Sequence, residues 1–321
     1  MAKRKTSSRK RRKKGHKTSS FVSSLKHLLI WVSVIVVCAL IFLYSYNYLF
    51  PIKQQETSSP KQSEVVVVPS QKQTQKQTQK QTAASVTSFK IPANAEIPRL
   101  RTKRAEQVIK HEGYTVSYNS DYRIANWVAY ELTAEEAKSK KAVRSNKFVP
   151  DPLVKGASAT NEDYTRTGYD RGHLAPAGDM KWSAKAMRES FYFSNICPQK
   201  PGLNRGIWKE LEEQSRLWAM DTGSLLIVTG PVISDDLKRM GKNRVAVPKL
   251  FYKVICTKWN NKLEGIAFLF SNKDYKETPL RSMAIPVDSV EKVTGIDFFP
   301  SLPDDIEKRM ESRVDWDQWS F

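Results

Sequence analysis

Histidine and cysteine are scarce in this chain, four and three among 321 residues. Past the first 88 positions only His111, His173, Cys197 and Cys256 remain, and the two cysteines belong to no Cys-x-x-Cys pair. A zinc site of the usual Cys/His composition is thereby excluded. Any metal the chain uses is expected to be oxygen-ligated, which points to Mg²⁺, with Mn²⁺ or Ca²⁺ as substitutes. Residues 1–27 lack acids altogether while holding eleven Lys/Arg. Long apolar runs are also missing, with one exception, the uncharged stretch Leu28 to Phe50.

That stretch is 23 residues long and broken only by Ser33, Ser45 and Asn47. At 1.5 Å per residue it matches a hydrocarbon core of roughly 30 Å. No small-x-small cleavage site follows it, and Tyr44, Tyr46 and Tyr48 fit an interfacial belt. The expectation is an uncleaved transmembrane helix over 28–50 that meets the lipid bilayer, with 1–27 a basic cytoplasmic segment by the positive-inside rule. The chain is then a single-pass membrane protein whose folded domain lies on the periplasmic or extracellular side. Residues 51–88 repeat Lys-Gln-Thr-Gln at 72–75 and 76–79; so polar a tract cannot offset its ordering entropy and reads as a disordered linker. The formal charge of +20 is concentrated before the domain, which from Phe89 onward carries 37 Lys/Arg against 31 Asp/Glu. A general nucleic-acid-coating role does not follow from so mild an excess.

Within 89–321 the patterning predicts a mixed α+β domain with a central antiparallel sheet flanked by helices. Tyr114–Tyr118 and Ala125–Leu132 read as a hairpin around Asn119-Ser120-Asp121. Thr133 to Glu136 reads as a capped short helix, Ser183 caps a second running to about Ser194, and a longer one runs from Leu203 to Met220, ended by Gly223. Four strands are expected at Leu225–Thr229, Phe251–Thr257, Leu263–Phe270 and Met283–Pro286, and short helices at Ser289–Thr294 and Asp304–Ser312.

The chemistry concentrates in Asp170-Arg171-Gly172-His173 and in Asn204-Arg205-Gly206-Ile207-Trp208, about thirty residues on. A neutral imidazole with a reference pKa near 6.5 accepts a proton from water at physiological pH, but a lone histidine is more often structural. Arg144 and Arg171 are fork-shaped donors suited to phosphate oxygens, each otherwise explicable as an ion-pair partner. Asn204, Trp208, Glu212 and Arg216 recur every four residues and share one row of a helix. Asn204 offers an amide oxygen to a hard cation or caps the helix. Glu212 suits a metal-bound water, Arg216 suits phosphate or pairs with Glu212, and Trp208 packs.

These residues, in order with Ala125-Asn126-Trp127-Val128-Ala129-Tyr130, Asp151-Pro152, Leu174-Ala175-Pro176, Asn195 and Pro198-Gln199, resemble the DNA/RNA non-specific endonuclease family, the ββα-metal nucleases that include endonuclease G. The resemblance covers roughly residues 114–313 and implies a ββα-metal active-site unit. It also implies that His173 is the general base and that Asn204 is the sole direct protein ligand of a hydrated Mg²⁺. Arg144, Arg171, Glu212 and Arg216 would assist at the phosphate or the metal's waters, and Asp170 and Asn195 would shape the site. The implied activity is Mg²⁺-dependent, sugar-non-specific hydrolysis of DNA and RNA to 5′-phosphate ends. A non-catalytic nucleic-acid receptor and a phosphodiesterase for small substrates are the alternatives. Pairing of Cys197 with Cys256, and the oligomeric state, stay open.

Overall fold

The computed structural model describes residues 90–321, so the expected basic segment, apolar span and linker (1–27, 28–50 and 51–88) lie outside the described residues. Among the described residues no helix is long and apolar enough to cross a membrane, and the membrane part of the expected architecture has no support here.

The described strands are, in chain order, β1 (Arg99–Leu100), β2 (Gln107–Lys110), β3 (Thr115–Asn119), β4 (Ile124–Thr133), β5 (Asp170–His173), β6 (Ile196–Gln199), β7 (Ser224–Pro231), β8 (Lys238–Met240), β9 (Val245–Val247), β10 (Leu250–Trp259), β11 (Lys262–Ser271), β12 (Ala284–Ile285) and β13 (Ile296–Asp297). Seven form the central sheet in the order β12-β11-β10-β7-β4-β3-β2, every neighbouring pair antiparallel. The described helices are α1 (Ala134–Lys138), α2 (Asn161–Tyr164), α3 (Ala184–Glu189), α4 (Trp208–Thr222), α5 (Val287–Thr294) and α6 (Asp304–Glu311).

Side chains alternate across a strand, and β10 shows what that does here. Phe251 and Ile255 enter the core beneath α4, whereas Tyr252, Val254 and Cys256 enter a second core beneath α5 and α6. Cover on both faces explains why β7 reads as the nearly unbroken apolar run Leu225-Leu226-Ile227-Val228. On α4, Trp208, Leu211, Ser215, Trp218 and Ala219 are buried at helical spacing. Trp208 lies edge-on to Phe251 and Phe270 with ring centroids 5.9 Å away in each case. Gly223, at φ 95°, ends the helix in a conformation that a side chain would strain.

The predicted sheet, the Thr133-capped helix with its Glu136 capping box, and the strands of the second half are present with ends moved by a few residues. Two helices differ. The one begun by Ser183 stops at Glu189, because Phe191 and Phe193 both turn into the core. The one expected from Leu203 begins as a wide π-turn over Leu203–Ile207, broken at Gly206 (φ −101°, ψ −120°), and turns regular only at Trp208. Cys197 and Cys256 are free and buried in different cores, so the open question of a disulfide is answered by two separate thiols.

Candidate active site

A short hairpin and a helix build the site. β5 pairs antiparallel with β6, His173 opposite Ile196 and Asp170 opposite Gln199. The π-turn and α4 follow, so hairpin and helix meet as a ββα unit. A pocket of about 300 Å³ opens where they meet, lined by Arg144, Arg171, His173, Asn204, Glu212 and Arg216, together with Arg205, Lys209 and Glu213. All six residues expected to carry the chemistry therefore face one cavity. Asp170 and Asn195 stand behind it.

His173 is 8% exposed, and its Nε2 has no hydrogen-bond partner. Phe191 meets the ring edge-on at 4.8 Å and Phe148 lies at 5.5 Å. Burial, assisted by the nearby Arg144 charge, pushes the imidazole down to about 3, so it is neutral at physiological pH. Asn195 fixes the chain just after it. Its Oδ1 accepts from the Ala175 N–H at 2.9 Å, and its Nδ2 donates to the carbonyls of Ala175 and Ser190 at 2.9 and 2.8 Å.

Gly172 is dictated by packing. A Cβ there would sit 2.0 Å from Oε1 of Gln199, a residue with no exposed surface. Gly172→Ala is expected to destabilise the domain by about 1–3 kcal/mol through overpacking, read as a lowered denaturation midpoint; an unchanged midpoint would mean that Gln199 yields freely.

Asn204 sits in the π-turn, where its Nδ2 donates to Asp170 at 3.0 Å. Helix capping is thus not its role, and among the described residues its Oδ1 accepts no hydrogen bond. Asp170 also receives Nε and Nη2 of Arg205 at 2.7 and 2.6 Å. Burial works against its charged form, yet the bonds from Arg205 and Asn204 hold the carboxyl below its ordinary range. An ionised Asp170 consequently orients the amide of Asn204.

The arginines are mounted differently from one another. Arg144 and Arg171 lie over the rings of Phe191 and Phe148, each 5.0 Å from the centroid, and neither forms an ion pair among the described residues. Stacking of this kind steers a guanidinium while leaving its N–H edge for an anion. Arg216 pairs with Asp179 at 2.8 Å rather than with Glu212, and Tyr130 donates to the other Asp179 oxygen at 2.9 Å. The Arg216 head lies against Gly178, where a Cβ would approach Nη1 to 2.8 Å.

Glu212, half-buried in the pocket wall, has its carboxyl raised by burial, with Lys253 pulling the other way. Lys253 reaches from β10 beneath the site. It is 1% exposed, its Nζ lies 3.5 Å from the Leu174 carbonyl and 5.0 Å from the Trp208 ring centroid, and burial lowers its pKa. Asp179, Arg205 and Lys253 are the residues that sequence reasoning missed. The signal for Asp179 was present, six residues past His173 in a Pro-Ala-Gly-Asp loop. For Lys253 there was none beyond one charge inside an apolar strand.

With this geometry in place, the family profile of the DNA/RNA non-specific endonucleases matches residues 91–305. The chain belongs to that family. Over 209 residues it is 34% identical to human mitochondrial endonuclease G, a match covering 61% of this chain and 70% of that protein. Over 229 residues it is 33% identical to mitochondrial nuclease 1 of Schizosaccharomyces pombe, covering 65% and 71%. Among solved structures, the endonuclease G of a complex with its inhibitor EndoGI superposes with a TM-score of 0.58 at 34% identity, over 62% of this chain and 87% of that one. This DNA/RNA non-specific endonuclease is therefore an enzyme, a hydrolase of phosphodiester bonds. The same relatives correct the expected location. Both are mitochondrial by name, and with no membrane-crossing helix among the described residues the single-pass placement facing the periplasm or exterior is withdrawn.

Proposed function

We propose that this endonuclease is metal-dependent and sugar-non-specific, cutting DNA and RNA alike to leave 5′-phosphate ends. In this reading His173 is the general base and Asn204 the metal ligand. The observation that carries it is the buried, unpartnered Nε2 of His173 on a pocket ringed by arginines and shared with the free Oδ1 of Asn204.

The donor set suits a hydrated Mg²⁺, with Mn²⁺ as a substitute. It offers an amide oxygen on Asn204 and a nearby carboxyl oxygen on Glu212, with no sulfur or second imidazole lining the pocket. When bound, such an ion neutralises charge on the phosphate and on the departing 3′-oxygen.

The remaining work falls to side chains. Neutral His173 draws a proton from a water in the pocket, readying it to attack phosphorus. The guanidinium edges of Arg144 and Arg171, and that of Arg216 set by Asp179, bind the non-bridging oxygens and hold the scissile bond still. Asp170 keeps the Asn204 amide turned, and Glu212 accepts hydrogen bonds from water beside it. Because the lining groups suit phosphate, the enzyme grips the backbone both nucleic acids share and reads little sequence.

The test is incubation of the chain with plasmid DNA and with RNA, with and without EDTA and with Mg²⁺ restored. Cleavage of both, lost in EDTA and regained with Mg²⁺, is expected, and the ends should accept ³²P from polynucleotide kinase only after phosphatase treatment. Salt-sensitive binding without cleavage would make the chain a receptor. Turnover confined to a small chromogenic diester would restrict it to small substrates.

A further inference from the structure

We propose a second metal site, structural and of the calcium class, formed by Asp288 and Glu291 of α5 and Glu311 at the end of α6. It lies behind the sheet, away from the pocket.

One oxygen from each of the three carboxylates lies within 4.8 Å of the other two. Calcium–oxygen bonds of about 2.3–2.6 Å put ligands on opposite sides of the ion about 4.6–5.2 Å apart, so three oxygens at this spacing fit one coordination sphere. The second observation concerns Glu311 alone. It is 4% exposed, its Oε1 has no hydrogen-bond partner, and among the described residues no ion pair reaches it. A carboxylate left in that state is costly to bury, and a cation between it and its neighbours relieves the cost.

The surrounding charge agrees. Beside the three proposed ligands, Glu307 and Asp297 add further acidic charge around Glu311. Among the described residues the nearby basic groups pair with acids other than Glu311. Arg101 bonds Glu291 and Asp297, Arg99 bonds Asp297, and Arg309 and Lys262 turn to Glu264. Glu291 receives the Phe298 N–H on Oε1 at 2.9 Å and Arg101 on Oε2 at 3.0 Å, and each oxygen keeps a second lone pair for an ion. The cation would tie α5 to α6, whose Val287, Val290 and Met310 help fill the rear core.

Calcium chloride titrated into the full chain carrying Asn204→Ala, followed by calorimetry and by the thermal midpoint, tests this without relying on the proposed catalytic ion. One saturable site and a rising midpoint are expected. Adding Glu311→Gln, or the more exposed Asp288→Asn, should weaken binding by about tenfold or more, since affinity follows ligand charge. Absence of saturable binding up to about 10 mM, roughly ten times the weak limit of about 1 mM for such sites, overturns the proposal, as does binding that both substitutions leave unchanged. A raised midpoint in the Glu311→Gln chain, together with no calcium response in the chain that keeps Glu311, would overturn the proposal and show that a shared proton fills the place instead.

Discussion

Replacing His173 by alanine is expected to lower cleavage of DNA and RNA together by roughly 10³-fold, the usual contribution of a positioned general base. The folded domain should persist, because the ring makes no hydrogen bond through Nε2 and its neighbours Phe148 and Phe191 are held by their own packing. Rates on plasmid and RNA, with circular dichroism to verify folding, read this directly; activity within tenfold of the parent would assign the base elsewhere.

The same substitution carries a stability signature. Folded, the imidazole sits at about 3 against an ordinary value of 6.5, so between those values the unfolded chain binds a proton that the folded chain refuses. Stability from this group is complete above pH 6.5 and drains away as pH falls towards 3, at about 1.4 kcal/mol per pH unit. From about pH 6.5 to 4 the parent is therefore expected to lose about 3 kcal/mol more than His173→Ala. The cavity left by alanine offsets the variant by a constant and leaves the slope untouched. Urea midpoints across that range measure it, and parallel curves would mean that the buried ring takes up its proton freely.

Asn204→Ala is expected to reduce cleavage by roughly 10²-fold or more and to raise the Mg²⁺ concentration needed for half-maximal rate, since one lost contact at an ion-binding centre costs that order. Asn204→Asp restores an oxygen and should nevertheless fail. The amide now donates to Asp170 at 3.0 Å, and an aspartate would set two carboxylates against each other where one N–H had bridged them. An Asn204→Asp chain as active as the parent would show that Asp170 does not orient this side chain.

Near-continuous apolar runs made β4, β7, β10 and β11 legible in the sequence, because a sheet covered on both faces buries nearly every position of its strands. Thr133 and Gly223 were legible for a different reason, each meeting a local requirement at a helix end. The break at Gly206 was not, since the four-residue spacing from Asn204 to Arg216 matches an unbroken helix as well as a wide turn leading into one. The hairpin of β5 and β6 escaped notice as strands because Asp170-Arg171-Gly172-His173 has almost no strand propensity; pairing and the buried Gln199 impose its shape. His173, Asn204, Arg144, Arg171, Glu212 and Arg216 could be named as a set only through the resemblance that their ordered motifs bear to the DNA/RNA non-specific endonucleases. How they are held could not. Arg216 takes Asp179 over its helical neighbour Glu212, and Lys253 arrives from β10, far along the chain, which are outcomes of tertiary packing.

The two thiols have a consequence for where such a chain can mature. Cys197 belongs to β6 of the hairpin and points into the core beneath α4, whereas Cys256 lies against Met310 in the other core, its Sγ 3.2 Å from that sulfur. No covalent cross-link between them is sterically open, and burial keeps both protonated and unreactive. Glutathione or dithiothreitol should accordingly leave the melting curve where it is, and the domain should assemble equally well with reductant present or absent.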